Sequence, residues 1–237
     1  MLPAFESVGT APGAARLTVI RDDPSLPPVG TRELSEKDAA EALAELDRSH
    51  VRGCRKCVLH ERRTQTVFGV GRARPDIVFV GEGPGQDEDE QGFPFVGKAG
   101  QLLTRMIAAM TLTREQVYIC NIVKCRPPGN RTPVEEEMAA CSPYLLRQLA
   151  ILRPKVIVAL GRPASQSLLA TTIPISKLRG RLQDFPPPEL AGLGLPAAKI
   201  MPTFHPAYLL RVPGEKAKAW EDLQEVMRFL GLKPSSL

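Results

Sequence analysis

The chain has 237 residues, 43% of them hydrophobic, and a formal net charge of +5. That length suits one sizeable α/β domain and does not demand two. No apolar run approaches the roughly 18 residues of a membrane span, and Met1 to Thr10 has neither the basic start nor the apolar core of a secretory signal. A cytoplasmic protein without membrane association is expected, and the mild basic excess is compatible with a polyanionic partner without identifying one.

Residues 1 to about 34 are rich in Pro, Gly, Ala and Ser and show no sustained hydrophobic period. Ser35 then caps a short helix that runs to Val51, with Asp38 three residues on and Ala42, Leu43 and Leu46 sharing a face. Residues 1–48 are therefore expected to be a poorly ordered extension with a short helix, and residues 49–237 the working domain. From Cys54 onward short apolar runs alternate with amphipathic segments. Ile77 to Val80 predicts a buried strand, Gly100 to Met110 a helix with Leu102, Leu103, Met106 and Ile107 on one stripe, and Val117 to Val123 a second strand. Pro133 to Leu152 predicts a long helix with Pro at its start. Lys155 to Leu160 is a third strand, followed by a helix through Leu169. Lys199 to Phe204 is a fourth, and Glu215 to Leu230 a closing helix.

Four near-continuous apolar strands separated by helices indicate a three-layer α/β/α fold around a four-stranded parallel sheet. In such sheets ligands sit beyond the carboxyl ends of the strands. Three polar motifs fall there: Gly81-Glu82 after the first strand, Asn121 near the end of the second, and His205 after the fourth. The fold class brings them together although they are far apart in sequence.

Five cysteines stand at positions 54, 57, 120, 125 and 141. In a cytosolic chain such clustering points to metal or redox work rather than disulfides. Cys54 and Cys57 form a C-x2-C turn, and Cys125 and Cys141 can complete four thiolates, a set that suits tetrahedral zinc or a 4Fe–4S cluster equally. Cys120 lies within an apolar strand and is expected to be a core residue. The turn Gly81-Glu82-Gly83-Pro84-Gly85 allows close backbone approach to a ligand. It does not match a dinucleotide fingerprint, because Gln86 stands where the third glycine belongs, so no nucleotide cofactor is expected. A carboxylate in that turn can orient a water or oppose a developing positive charge, and a solvated loop acid is the alternative. The run from Asn121 to Pro133 carries three basic residues and two asparagines. Its cations suit phosphates and its amides suit base edges, as they would also suit a plain solvated loop. His205, at the proposed active edge, weighs toward chemistry.

Together these motifs resemble family 4 of the uracil-DNA glycosylase superfamily. The family pattern is a GE-[AG]-PG turn followed by acidic residues, then P-F-V-G-x-A-G, N-x-x-K-C-R-P-P-x-N-R-x-P and H-P-A-Y-x-x-R. Gly81 to Asp89, Pro94 to Gly100, Asn121 to Pro133 and His205 to Arg211 match it in that order, and the resemblance spans about residues 50–231. It implies a uracil-DNA glycosylase-like fold and a monofunctional, monomeric repair enzyme. Such an enzyme flips uracil out of DNA and hydrolyses its N-glycosidic bond to leave an abasic site. It further implies a 4Fe–4S cluster on Cys54, Cys57, Cys125 and Cys141. In the base pocket, Phe95 would stack on uracil, Asn121 and Asn130 would meet the substrate, and the turn around Gly83 and Glu88 would crowd C5. Glu82 would position water or stabilise the cationic sugar, and neutral His205 would hydrogen-bond uracil O2. Leu209 or Leu210 would wedge into the vacated stack, and Lys124, Arg126, Arg131 and Arg211 would contact phosphates. A superfamily variant that bonds covalently to its abasic product uses a histidine in an inserted loop. None lies between His60 and His205, so turnover is expected. The rival readings are a non-enzymatic metal-bearing nucleic-acid module and a glycosylase of broader base range.

Overall fold

A computed structural model describes residues 20–27 and 33–233. In chain order the elements that position the site are α1 (Glu36–Leu46), β1 (Val70–Gly71), β2 (Ile77–Gly81), α2 (Gln86–Gln91), α3 (Lys98–Ala109), β3 (Tyr118–Asn121) and α4 (Glu135–Leu152). They continue with β4 (Val156–Leu160), α5 (Arg162–Leu168), α6 (Ile175–Leu178), β5 (Gln183–Phe185), β6 (Ala198–Thr203), α7 (Pro206–Arg211) and α8 (Lys216–Leu230). None of the described helices is long and apolar enough to cross a membrane.

The sheet order is β1-β3-β2-β4-β6-β5. The four predicted strands form its parallel centre, with Phe79 registered between Ile119 and Val158. Every residue of β2 and β4 is buried, as expected of strands rich in β-branched residues and covered on both faces. Alternation assigns the two faces. Ile77, Phe79, Ile119 and Val158 pack with Leu103 and Ile107 of α3 and Leu223 and Val226 of α8. Val78, Val80, Cys120 and Ile157 pack with Leu145 and Leu149 of α4 and Leu168 of α5. This is the expected three-layer α/β/α arrangement, in a sheet two strands wider than predicted. β1 and β5 add short antiparallel edges. Two or three residues with no apolar run gave them no sequence signal.

The N-terminal region departs from expectation. Residues 1–19 and 28–32 lie outside the described residues. Ile20 and Leu26, however, are buried at 3% and 4% exposure in the core that contains Val80 and Tyr144. Arg147 of α4, itself only 4% exposed, reaches into this segment. Its Nε donates to Pro27 O at 3.0 Å, its Nη2 to Asp23 O at 3.1 Å, and its Nη1 pairs with Asp22. The Arg21 amide donates to Ser142 Oγ at 3.0 Å, and Ser142 Oγ donates to Ala139 O at 3.0 Å, the carbonyl that Pro143 leaves without its helical partner. Helix α1 forms as predicted, with Ser35 Oγ accepting from the Asp38 amide, and buries Ala39, Leu43 and Leu46. Residues 20–27 and α1 are thus a strap and a helix packed on the domain. The expectation of a loose extension over residues 1–48 is corrected for these segments, because a tertiary arginine orders a stretch with no local propensity.

Candidate active site and four-cysteine centre

The carboxyl ends of β2, β3 and β6 open into a cavity of about 390 Å³. Glu82, Phe95, Asn121, Asn130, His205 and Arg211 all line it. Asn121 ends β3 and is 1% exposed, and its Oδ1 is buried without a hydrogen-bond partner among the described residues. A buried amide oxygen left unpaired costs about 1–3 kcal/mol, so it marks a place where a ligand donor is expected. Gly81 makes room for it. A Cβ there would collide with Asn121 Oδ1 and come within 2.6 Å of Phe95 Cζ.

His205 follows β6 and caps α7, its Nδ1 accepting from the Ala207 amide at 3.1 Å. That bond fixes the tautomer and leaves Nε2 as the N–H donor. Burial, aided by the Arg211 charge, pushes its pKa down to about 4, so the ring is neutral near pH 7. The Phe95 ring lies 5.6 Å from it, centroid to centroid. Burial raises the Glu82 carboxyl above its ordinary range, against the opposing influence of the Thr132 side chain and the Arg162 charge.

Phe95 has φ 56°, a left-handed conformation that an aromatic residue adopts only when its surroundings impose it. Gly83 and Glu88, whose turn is expected to crowd the base, both line the cavity. Glu88 Oε1 accepts from the Val96 and Gly97 amides at 2.9 and 3.1 Å, and Oε2 from the Gly85 amide at 3.0 Å. It lines the cavity, but its carboxylate is spent tying the Gly83 turn to the Phe95 loop. Gly83 sits in that turn with its α-carbon over Val123.

The basic loop divides. Arg211 is exposed and lines the cavity. Arg126 Nε donates to Asn130 Oδ1 at 2.7 Å, so these two hold one another at the rim. Arg131 lines the cavity while making a two-pronged pair with Glu137 at 2.6 and 2.8 Å. Lys124 is not a phosphate contact. It is 1% exposed, and its Nζ donates to Asn121 O at 2.8 Å and Gln148 Oε1 at 2.5 Å. A buried ammonium held by two acceptors braces β3 and cannot reach DNA. Of the two wedge leucines, Leu209 is excluded at 1% exposure, whereas Leu210 is 39% exposed.

Sequence reasoning missed Thr132, Tyr208 and Arg162. Thr132 and Tyr208 line the cavity and, with Glu82, His205 and Arg211, an adjoining one of about 770 Å³ that also includes Arg162. Thr132 and Tyr208 stood inside recognised motifs and could have been read there. Arg162 had only its place after β4 as a signal.

Cys54, Cys57, Cys125 and Cys141 line one small cavity beside the core, and Cys120 is buried in β3 as expected. Three of the four sulfurs accept well-placed donors. Arg63 Nη1 reaches Cys125 Sγ at 3.1 Å, Tyr144 OH reaches Cys54 Sγ at 3.2 Å, and the Lys124 amide reaches Cys141 Sγ at 3.2 Å. Donors aimed at sulfur suit thiolate ligands. Tetrahedral zinc needs sulfurs about 3.8 Å apart. Among the described residues no three Cys, His, Asp or Glu side chains gather tightly enough for a single ion. Four thiols lining one cavity are the donor set that an iron–sulfur cluster uses, its irons sharing the ligands between them.

Residues 68–224 match the family described as the uracil DNA glycosylase superfamily. A type-4 uracil-DNA glycosylase of Thermotoga maritima is 45% identical over 193 residues, 80% of this chain and 96% of that protein. The type-4 enzyme of Archaeoglobus fulgidus is 44% identical over 79% of this chain and 93% of its own length. That of Saccharolobus solfataricus is 42% identical over 79% and 86%. With a superfamily match across most of the α/β domain and relatives this similar over nearly their whole length, the chain belongs to the uracil-DNA glycosylase superfamily, within its type-4 family.

Proposed function

We propose that this protein removes uracil from DNA by hydrolysing the bond between N1 of the base and C1′ of the deoxyribose. The observation that carries this reading is Asn121 Oδ1, unpartnered among the described residues and buried at the same cavity as a neutral His205 and the Glu82 carboxyl. Uracil offers an amide-like edge, and an asparagine can pair with both its donor and its acceptor. A cavity of this size admits one flipped base, stacked on Phe95, with the duplex left outside.

Bond cleavage leaves the electron pair on the base and positive charge on the sugar. His205 Nε2–H donates to uracil O2 as negative charge gathers there, a preorganised contact worth about 3–4 kcal/mol. Glu82, when ionised, opposes the sugar cation and holds the water that adds to C1′, taking up that water's proton. Leu210 fills the vacated stack. Arg211, Arg126 and Arg131 face the phosphates, Arg211 with the fewest internal ties. All the reacting groups fall within residues 49–237, which we take as the glycosylase domain.

We assign a 4Fe–4S cluster to Cys54, Cys57, Cys125 and Cys141, supported by their shared cavity and the donors aimed at their sulfurs. Such a cluster supplies a cross-link rather than electrons, since hydrolysis needs no redox step. It joins the C-x2-C turn, α4 and the loop that leads from Cys125 to Asn130. The decisive experiment is release of free uracil from a single-uracil oligonucleotide, with a thymine control. Release from the uracil strand alone is expected. Binding of DNA without release would assign the chain to the non-enzymatic reading.

A further inference from the structure

We propose that Arg114 is a positioning residue for base recognition, and that it works by gripping the carbonyls that set the conformation of Phe95. The inference rests on the reading of Phe95 as the stacking platform for uracil. Arg114 lies just before β3, 19 residues from Phe95, and its guanidinium crosses to the opposite loop. Nη2 donates to Pro94 O at 2.8 Å, and Nη1 donates to Phe95 O at 3.1 Å and to Thr104 Oγ1 at 3.2 Å. The same loop offers its amides in the other direction, with Val96 and Gly97 donating to Glu88. A cation thus holds the carbonyls of Pro94 and Phe95, and an anion holds the amides of Val96 and Gly97 that follow them.

The purpose of two opposed grips follows from the backbone. Phe95 at φ 56° is in a region that costs a non-glycine residue about 1–3 kcal/mol. Left to itself, the loop would relax to negative φ and carry the ring away from its place. That place is tightly bounded. The ring is 6% exposed, closes on Gly81, and faces His205 at 5.6 Å. Gly100 packs against the Phe95 carbonyl so closely that any Cβ there would collide with it. Glu88 alone fixes the residues after Phe95. Through the Val96 amide Glu88 reaches the peptide unit that follows the Phe95 α-carbon, but the unit before it is held through Pro94 O by Arg114, which grips the Phe95 carbonyl as well. A planar fork does this with two parallel bonds, which an ammonium cannot reproduce.

The test separates recognition of the base from binding of the DNA. Inhibition by free uracil reads the base pocket, and binding of an abasic-site duplex reads everything else. Arg114→Met is expected to weaken uracil inhibition about tenfold, in keeping with the loss of bonds to a charged donor. Its affinity for abasic DNA should stay within about twofold of the parent. Arg114→Lys, which preserves charge and bulk, should fall between the two. Added guanidinium ion should partly restore Arg114→Ala, a recovery that a general loss of stability would not give. Phe95→Ala is the control. If it weakens uracil inhibition while Arg114→Met and Arg114→Lys do not, the grip is refuted and the stacking reading survives. If Phe95→Ala has no effect, the stacking reading falls and takes the grip with it. Equal losses of uracil and abasic-DNA binding in the Arg114 variants would also overturn the proposal, reducing Arg114 to a prop for the fold.

Discussion

The base cavity and the four-cysteine centre share one loop yet are built on opposite principles. Cys125 belongs to the centre and Pro127, two residues on, lines the cavity. On the cysteine side three of the four sulfurs meet a donor, and Arg147 binds the strap of residues 20–27 across the adjoining helix with every prong engaged. On the cavity side polar groups are held ready and left unspent: Asn121 Oδ1 has no partner, His205 is kept neutral, and the Glu82 carboxyl is partly desolvated. A saturated network gives rigidity, and an unsaturated one gives affinity for a substrate. On the proposed reading, a cluster at the four cysteines would bear on hydrolysis without taking part in it, because Cys125 lies on the loop that carries Asn130 and Arg131.

The contrast can be broken most directly in the cavity. Glu82→Gln and His205→Ala are each expected to lower single-turnover excision about 100-fold while leaving iron content and thermal stability near the parent's. Full activity in either variant would remove its residue from the chemistry. Cys141→Ala should produce the converse pattern, with loss of iron by colorimetric assay, a depressed melting temperature and weakened DNA binding. If iron and melting temperature were both unchanged, the assignment of the four cysteines to one cluster would fail. Arg147→Met should cost about 2 kcal/mol in stability, since it removes the charged donor that ties the strap to α4 but leaves the cavity intact; denaturant melts with parallel rate measurements would read both. A smaller effect distinguishes the cations. Arg211→Ala should reduce the slope of log affinity against log salt by about one, whereas Lys124→Met should leave that slope unchanged because its ammonium is buried.

The pH dependence sharpens the same contrast. If ionised Glu82 acts as proposed, its carboxyl, raised above the ordinary range by burial, should make the rate fall on acidification before a solvated glutamate would be protonated. His205 stays neutral down to about pH 4 and does not contribute to that limb. It does affect stability. Its folded pKa is depressed below the unfolded value near 6.5, so between about pH 6.5 and 4 the unfolded chain binds the extra proton. Stability therefore drops as pH falls through that window. His205→Gln should flatten this part of the melting profile.

Much of the fold could be read without coordinates, because buried parallel strands leave a signal that is continuous and local. Ile77–Gly81 and Val156–Leu160 could hardly be other than buried strands, and the motifs at their ends had to meet. The edge strands Val70–Gly71 and Gln183–Phe185 were not legible, since their pairing is supplied by a neighbour. Lysines and leucines of the site were hardest to place. Lys124 looks like any basic loop residue until Gln148 and Asn121 O are seen to enclose it. Leu209 and Leu210 are indistinguishable in sequence, and the last turn of α7 alone decides which faces out.

The sequence by itself determined the layer architecture, the order in which the reacting groups reach one sheet edge, and the set of cysteines able to share a centre. These follow from periodicity, chain order and residue chemistry, which are properties of local segments. The tertiary structure decided which charges are spent and which are free, that Glu88 and Arg114 bond the backbone around Phe95, and that residues 20–27 pack on the core. Those outcomes depend on partners as far as 125 positions away. Whether a polar group is satisfied is a fact about its surroundings in space, and no spacing along the chain encodes it.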